Sequence, residues 1–589
     1  MYPALLKSRP FRYLGLLSAS LTLSCPVSQA EPISPPIQEL HNEVWNRFVL
    51  KPQHLLLDYT NLDGTVEIPT AEECLMGKPN ALSWWTPIEN GPFFGGLYID
   101  GILRRWKLTG SDEDREKARA LMEGLMLCAS VGNAPGFVAR AVLEDKTSHY
   151  AIGSDDQTGP WIYGLWRYVK SGAATEEEKK RIVAKLTEVA SALQANRWLM
   201  PCDPIGDMKP DQVRGGWSGA DYRGASRMLF TTRALYDLTG DSKWKQAYEE
   251  ALEEKFPNGQ SRLAIVADGM PGEWNIHPAL AKSHLYIYIV SQAMISDLAE
   301  METDPERRKA YLASLKATAE AALPSVTDKL HPQFGTAQFR TDWRVMNELW
   351  QPQTTPDQAA SLALAQLDSW QNTGRHAEIE ALREPLSALW IAALHPEGRP
   401  AETRLLNELI AKVDWKKVHS SFAFLGESVG YLLQDQGNRG VLTAANLAKP
   451  TAPREAPAEV AATKSILKEG AKRCSDLFPL LEFPADLEGA ALYTIPRRDG
   501  TQPGPSYQVK VDSGNTAWLL VMDKGEPIIP EGWEETDLTT RWNAGSNPFR
   551  DRIFQKSVRP GETISVPASA AQSDGTFAIP HALVVGNAR

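Results

Sequence analysis

Beyond its first 30 residues this chain has no long apolar run, and no later stretch reaches the roughly 18 continuous apolar residues of a membrane span. Cysteine is scarce. Apart from Cys25, the chain holds Cys74, Cys128, Cys202 and Cys474, far apart and without C-x-x-C spacing, which argues against a structural zinc site. No block of Lys and Arg follows the N-terminus and the formal charge is −11. An acidic protein repels nucleic acid and anionic membranes at long range, so no nucleic-acid partner is expected, and the missing apolar run leaves no integral membrane span. A Gly-x-Ser-x-Gly elbow, a Walker loop and a Rossmann fingerprint are also missing; Gly91 to Gly96 does not follow a strand. His277 and His284 stand seven apart, not at the i, i+4 spacing of a helical metal pair, so His277 reads as a pocket residue and His284 as a core histidine. No metal and no cofactor are expected.

The N-terminus reads as an export signal over residues 1–30. Lys7, Arg9 and Arg12 form a positive region, Tyr13 to Leu23 is mostly apolar, and Ser28-Gln29-Ala30 fits a small-x-small cleavage site. Cleavage there takes the formal charge from −11 to −14 and places the protein in the periplasm or outside the cell. Cys25 raises the alternative of a lipid anchor, but Thr22 stands where a lipobox wants Leu. An ordinary buried N-terminal helix fails on the charge order and on Pro26. Export permits a disulfide, Cys74 or Cys128 with Cys202, whose pairing the sequence leaves open. Within Leu125-Met126-Leu127-Cys128-Ala129, Cys128 reads better as a small buried hydrophobe.

A length of 589 residues with 43% hydrophobic content suits one large globular domain and one smaller. The large part reads as mainly α. Helices are expected over Ile37–Leu50, Pro92–Leu108, Asp112–Ala129, Trp161–Val169, Glu176–Ala195, Trp244–Phe256, His277–Glu302, Pro305–Leu323, Pro356–Gln371, Ala377–Ala393, Ala401–Val413 and Phe422–Gln434. Thr109-Gly110-Ser111, Ser171-Gly172 and Thr239-Gly240-Asp241 read as compact turns between helices, with Gly as a left-handed C-cap and Asp or Ser capping the next helix. Trp161 to Val169 and His284 to Met294 are apolar nearly all round, whereas Glu176 to Ala195 and Ser242 to Glu254 carry charge along one face. The first kind is buried and the second faces water, which predicts an inner ring of helices inside an outer ring, a toroid of helical hairpins. An open α-solenoid is the alternative. Lys449 to Pro457 is Pro-rich and linker-like. From Cys474 on, short strands predict a small C-terminal antiparallel β-sandwich. The expected division is 1–30 signal, 31–448 catalytic domain, 449–473 linker and 474–589 accessory domain.

Unusual residues gather in the loops that precede the expected inner helices: Trp84 to Phe94, Ser148 to Trp161, Arg214 to Arg223, Asp268 to His277, and His419 to Phe422. In a closed ring these loops converge on one cup, where Trp and Tyr faces stack on sugar rings and carboxylates take hydroxyls. Asp155-Asp156 is the first choice for catalysis. Adjacent acids in a walled pocket repel, which raises one pKa and supplies a general acid. Asp156 is expected in that role and Asp155 as its positioning partner; the competing role is a plain helix N-cap pair. Glu89 and Glu273 compete for the second carboxylate, or else tie down their loops. Substrate contacts are expected from Trp85, His149, Tyr150, Gln157, Trp217, Asp221, Tyr222, Arg223, Trp274 and His277, with Arg223 or Arg227 placed to hold a uronate carboxylate or to form an ordinary salt bridge.

The hairpin order, the Thr-Gly-Asp turns, the Trp-rich loops and the trailing β-region resemble the six-hairpin glycosidase superfamily, the (α/α)6 barrels, over roughly residues 35 to 440. That group includes unsaturated glucuronyl and rhamnogalacturonyl hydrolases, and related toroids serve polysaccharide lyases. Thr516 to Ser565 also resembles small β-domains appended to polysaccharide-degrading enzymes. The resemblance implies an (α/α)6 toroid acting on an oligosaccharide or polysaccharide; no single family's full motif is present, so no catalytic residue is carried over. The leading expectation is an exported glycoside hydrolase acting on oligosaccharides of an acidic, plant or algal polysaccharide. A lyase would instead use His149, Tyr150, Tyr222 and Arg223 as base, acid and carboxylate neutraliser. A sugar 2-epimerase conflicts with export. A non-catalytic glycan-binding protein would keep the Trp residues without needing converging carboxylates.

Overall fold

The computed structural model describes residues 33–276, 285–322, 339–371, 373–398, 400–438, 461–497, 505–523, 532–544, 547–569 and 579–587. The expected export signal, His277, His284 and residues 449–460 of the expected linker lie outside the described residues. Among those described, no helix is long and apolar enough to cross a membrane.

The helices in chain order are α1 (Pro35–Glu43), α2 (Ala71–Met76), α3 (Gly91–Thr109), α4 (Asp112–Cys128), α5 (Asp155–Ser171), α6 (Glu176–Ala195), α7 (Tyr222–Thr239), α8 (Ser242–Glu253), α9 (Arg262–Ile276), α10 (Tyr286–Met301), α11 (Pro305–Ala322), α12 (Pro356–Ala365), α13 (Leu367–Gln371), α14 (Arg375–Ala393), α15 (Pro400–Lys412) and α16 (Ala423–Asn438). Six of them touch in a closed cycle: α3 to α5, α7, α10, α14, α16 and back to α3. Outside this cycle α4, α6, α8, α11 and α15 each pack against the inner helix that precedes them, and α1 packs against α16. The inner α3 and α10 are buried along nearly their whole length, whereas α6 and α8 bury one face only.

Small residues let the inner helices approach. A Cβ at Gly96 of α3 would lie 2.2 Å from the Pro160 carbonyl oxygen of α5, and one at Gly164 would lie 2.7 Å from the Gly96 oxygen. A Cβ at Gly101 would lie 2.4 Å from the Ser428 hydroxyl oxygen of α16 and 3.2 Å from its Cα. The hairpin turns carry glycine at φ 66°, 85° and 68° at Gly110, Gly172 and Gly240, the left-handed C-cap their sequences call for. Asp241 caps α8 as expected, accepting from the Lys243 amide at 3.0 Å, whereas Ser111 makes no side-chain cap; the amides of both bond the hydroxyls of Thr239 and Thr109, each at 3.1 Å.

Three departures from the expected elements bear on the site. Asp268 to Ile276 is helical, as the second half of α9, with a kink at Gly269, rather than a loop. Asp155 and Asp156 lie in the first turn of α5 rather than ahead of it. A short hairpin of β3 (Leu199–Pro201) and β4 (Val213–Gly216) precedes α7, as one of β1 (Val49–Leu50) and β2 (Leu55–Leu56) precedes α2. The four cysteines Cys74, Cys128, Cys202 and Cys474 are buried free thiols, so the expected disulfide does not form. Hydrophobic packing already holds each of them.

The C-terminal part is an antiparallel sheet of seven strands. In spatial order they are β5 (Thr463–Ile466), β7 (Ala491–Thr494), β13 (Ala582–Gly586), β9 (Thr516–Met522), β11 (Asn547–Ser557), β10 (Glu534–Ala544) and β6 (Leu480–Glu482). It takes in Thr463–Ile466, ahead of the expected start at residue 474. Both faces are apolar. Leu519 and Val521 of β9 pack with the two-stranded ladder of β8 (Tyr507–Lys510) and β12 (Thr563–Val566), while Trp518 and Leu520 pack with Leu467, Cys474 and Leu487. The cover on the first face has two strands among the described residues.

At the C-terminal ends of the inner helices, ion pairs tie four elements together. Arg104 holds Asp100 and Asp435, and Arg167 holds Asp100 and Asp297 at 2.6 and 3.1 Å. Burial raises the Asp297 carboxyl to about 6, against the pull of Arg167. A carboxyl whose folded pKa lies above its unfolded value favours the fold below about pH 4, and that contribution is lost as pH rises through about 6. Asp297→Asn is therefore expected to stabilise the protein at pH 7.5, by on the order of 2 kcal/mol, and to change little at pH 4. Chemical denaturation at the two pH values measures this; a destabilised variant at pH 7.5 contradicts it.

Candidate functional site

The N-terminal ends of the inner helices meet on one side of the ring. A cavity of about 390 Å³ opens there, lined by Asp58, Tyr59, Trp84, Trp85, Glu89, Asn90 and Phe94 ahead of and on α3, Tyr286 of α10, Trp370, Arg375, His376 and Arg383 on and before α14, and Phe422 before α16. That size falls within the roughly 300–1,000 Å³ of small-molecule sites.

One wall is aromatic. Trp85 sits at φ 74°, held there by four partners. Its amide donates to Glu89 Oε2 at 3.0 Å, its indole donates to the Ala363 carbonyl at 3.0 Å, and its carbonyl accepts from Tyr59 Oη and Arg375 Nη1 at 2.8 and 2.6 Å. The ring then lies 4.7 Å from Trp370 and 5.7 Å from Trp84. Cations flank this wall: the Arg375 guanidinium lies 4.1 Å over the Tyr59 ring and that of Arg383 lies 3.9 Å over Tyr286.

The carboxylates form two groups joined by Arg140. In the first, Asp58 accepts from the Asn90 amide and side chain at 2.9 and 2.6 Å, and Asn90 in turn accepts from Gln157 of α5. In the second, Asp155 pairs with Arg227 of α7 at 2.5 Å and Asp156 accepts from the Ser154 hydroxyl. Arg140 spans them, donating to the Glu89 carbonyl at 3.1 Å and to Ser154 at 2.9 Å, with Asp156 3.8 Å away. It is buried, with 1% of its surface exposed.

These surroundings push the acids in opposite directions. Burial raises the Asp58 carboxyl well above the usual range, and the charge of Glu89 adds to it. Burial also raises Glu89; Arg140 opposes this and Asp156 reinforces it. Asp155 is raised by burial and by Asp156, against Arg227. For Asp156 burial acts upward too, but Arg140, the Ser154 hydroxyl, Arg227 and Arg214 together hold it below the usual carboxylate range. The raised member of the adjacent pair is thus Asp155, not Asp156, because the guanidiniums converge on the second aspartate.

Of the expected contact residues, Trp85 lines the cavity and Gln157 lies just beneath it, bonding Asn90 and the Phe93 amide. Others point into the protein. His149 bonds Asp203 at 3.0 Å and the Thr147 carbonyl at 2.7 Å, the Tyr150 hydroxyl donates to the Lys78 carbonyl, and Trp217 is buried against Trp198. Tyr222 is buried beside Gln292 and Ser314. Asp221 caps α7 by accepting from the Gly224 amide at 2.8 Å. Arg223 lies near Asp155. Glu273 and Trp274 lie on the last turn of α9; their side chains, and His277 altogether, are outside the described residues. Asp58, Asn90, Arg140, Tyr286, Trp370, Arg375 and Arg383 were not singled out by sequence. Asp58 and Arg140 sit in segments with no distinctive motif, and only the closed ring brings them to the cavity. Among the described residues no group of three or more His, Cys, Asp or Glu side chains could hold a metal ion.

No family model and no curated protein matches the chain. Among solved structures, endoglucanase CelQ from Clostridium thermocellum complexed with cellotetraose aligns over 84% of this chain and 83% of that one, at 11% identity and a TM-score of 0.27. Its complex with cellotriose aligns over 83% of each chain, at 13% identity and a TM-score of 0.26. A β-glucuronidase from glycoside hydrolase family 2 aligns over 24% of this chain and 16% of that one, at 16% identity and a TM-score of 0.19. Likenesses at these TM-scores carry no argument about fold or activity.

The Asp155–Arg227 pair has one guanidinium fully buried. Arg227→Met is expected to cost about 3 kcal/mol, since it strands a carboxylate without its partner. The cost should shrink when Asp155→Asn is added. A double-mutant cycle by denaturant titration reads the difference; additive losses would mean the two do not act as a pair.

Proposed function

We propose that this protein is an exported glycoside hydrolase built on an (α/α)6 toroid, with residues 31–448 as its catalytic domain and 474–589 as an accessory β-domain, acting on oligosaccharides of an acidic polysaccharide. One observation carries the reading: Glu89 lines a sugar-sized, tryptophan-walled cavity, and the buried Arg140 links it to Asp156, which stands outside that lining, in surroundings that push Glu89 up and hold Asp156 down. Two carboxyls whose surroundings separate their pKa values divide the labour of glycoside hydrolysis. Glu89, protonated, donates its proton to the glycosidic oxygen as the bond to the anomeric carbon breaks. Asp156, ionised, meets the developing positive charge at that carbon, as nucleophile or as the base that activates water. Trp84, Trp85 and Trp370 stack on the sugar, and Asp155, clamped by Arg227, positions its neighbour. The guanidiniums around the cavity favour an anionic substrate.

The lyase alternative relied on His149, Tyr150 and Tyr222 as base and acid. All three are buried with hydrogen-bond partners elsewhere, which favours the hydrolase. A lyase creates absorbance from an unsaturated uronide, an unsaturated-glycuronyl hydrolase destroys it, and an ordinary glycosidase does neither.

Glu89→Gln and Asp156→Asn are each expected to lower kcat by roughly 10²–10⁴-fold on the cleaved oligosaccharide while binding persists. Turnover in both variants at the native rate sinks the assignment, and retained binding with no turnover in the native protein turns it into a glycan-binding protein. The pH profile follows from the directions of shift. Activity falls at the alkaline side as Glu89 loses its proton above the usual carboxylate range. It falls at the acid side only below that range, where Asp156 gains one.

A further inference from the structure

Arg214 stands beside the Trp84 wall of the cavity, and apart from helping to hold Asp156 ionised its guanidinium has no part in the assignment above. The β3–β4 hairpin carries it over the start of α5. Gly215, at φ 74°, allows this, since a Cβ there would lie 2.3 Å from Asp155 Oδ1. The guanidinium lies 5.2 Å over the Trp84 ring at the cavity wall and is half-buried. It makes no hydrogen bond or ion pair with a described residue, and its buried Nε has no partner. The buried Nε of Arg140 is unpartnered as well. Burial and the like charge of Arg140 work against the charge of Arg214, more than Asp156 and Asp155 compensate. A planar fork stacked on a tryptophan, with open donors beside a sugar-sized cavity, is short of one anion.

We infer that Arg214, stacked on Trp84, is a specificity-determining residue that binds an oxyanion substituent of the substrate sugar, a carboxylate or a sulfate ester. This rests on the glycoside-binding reading of the cavity and deepens it by assigning the group that reads the charge. Arg227 and Arg140 are committed to Asp155, Ser154 and the Glu89 carbonyl, and of the arginines that line the cavity Arg383 pairs with Glu384 while Arg375 spends Nε and Nη1 on the Arg340 and Trp85 carbonyls and keeps only Nη2 open, which leaves it no two-donor fork. A carboxylate or sulfate offers two oxygens to two parallel N–H bonds from such a fork, and a neutral ester or a bare hydroxyl does not.

The test is calorimetric binding in the full chain carrying Glu89→Gln. The probes are a uronic-acid trisaccharide with its methyl ester, and a sulfated galactan trisaccharide with its desulfated form. The quantity read is the affinity ratio of charged to neutral member in each pair. Adding Arg214→Gln is expected to lower the ratio at least tenfold, in the first pair if the anion is a carboxylate and in the second if it is a sulfate. Arg214→Lys, which keeps the charge but not the fork, should fall between. Ratios unchanged by Arg214→Gln in both pairs overturn the proposal, as does a starting ratio near one in both or no binding of any probe. Native-rate turnover by the Glu89→Gln chain would instead remove the hydrolytic assignment while leaving the ratios readable, so the two failures are distinct.

Discussion

The close crossing of α3 and α5 at Gly96 and Gly164 sets the geometry on which everything else depends. Their backbones approach to distances that any side chain would block, and Gly101 repeats the device between α3 and α16. With these contacts made, six apolar helices close on themselves and bury one another. Closure has a directional consequence. Inner helices that alternate with outer ones all start at the same side, so loops from residue 58 to residue 422 come together. Dispersion and burial of apolar surface hold the ring, and they act without regard to the chemistry gathered at its mouth.

That mouth is governed by a different force. Carboxyls crowded into partly desolvated space resist ionising, and each is rescued only as far as a guanidinium reaches it. Arg227 reaches Asp155, and Arg140, Arg227 and Arg214 bear on Asp156, whereas Asp58 and Glu89 depend mainly on amide donors and on Arg140. The asymmetry follows from where three arginines from three segments come to rest. At the far end of the ring the same chemistry serves cohesion, where Arg104 and Arg167 thread between aspartates of α3, α10 and α16.

Much of the helical skeleton was legible. Glycine turns at Gly110, Gly172 and Gly240 and the one-sided charge of α6 and α8 marked hairpins, because backbone conformation and solvent exposure are local properties written every three or four residues. The site was legible in part. Glu89, Trp85 and the aspartate pair stood out as unusual residues before helices. His149, Tyr150, Trp217 and Tyr222 stood out equally, yet they satisfy buried carbonyls, amides and neighbouring rings. A polar aromatic in a loop reads the same whether it faces a cavity or the core.

The sequence by itself determined the helical hairpins, the change to strands in the C-terminal part, and the concentration of tryptophan and acid in the loops ahead of inner helices, since periodicity, capping and composition act over a few residues. Only the tertiary structure decided which aspartate keeps its charge, which arginine lacks a partner, and which loop residues line the cavity. Those outcomes hang on distances between segments such as Asp58, Arg140, Arg214 and Arg383, separated in the chain by dozens to hundreds of residues. Electrostatic energy depends on such distances and on the depth of burial, and neither exists until the ring has closed.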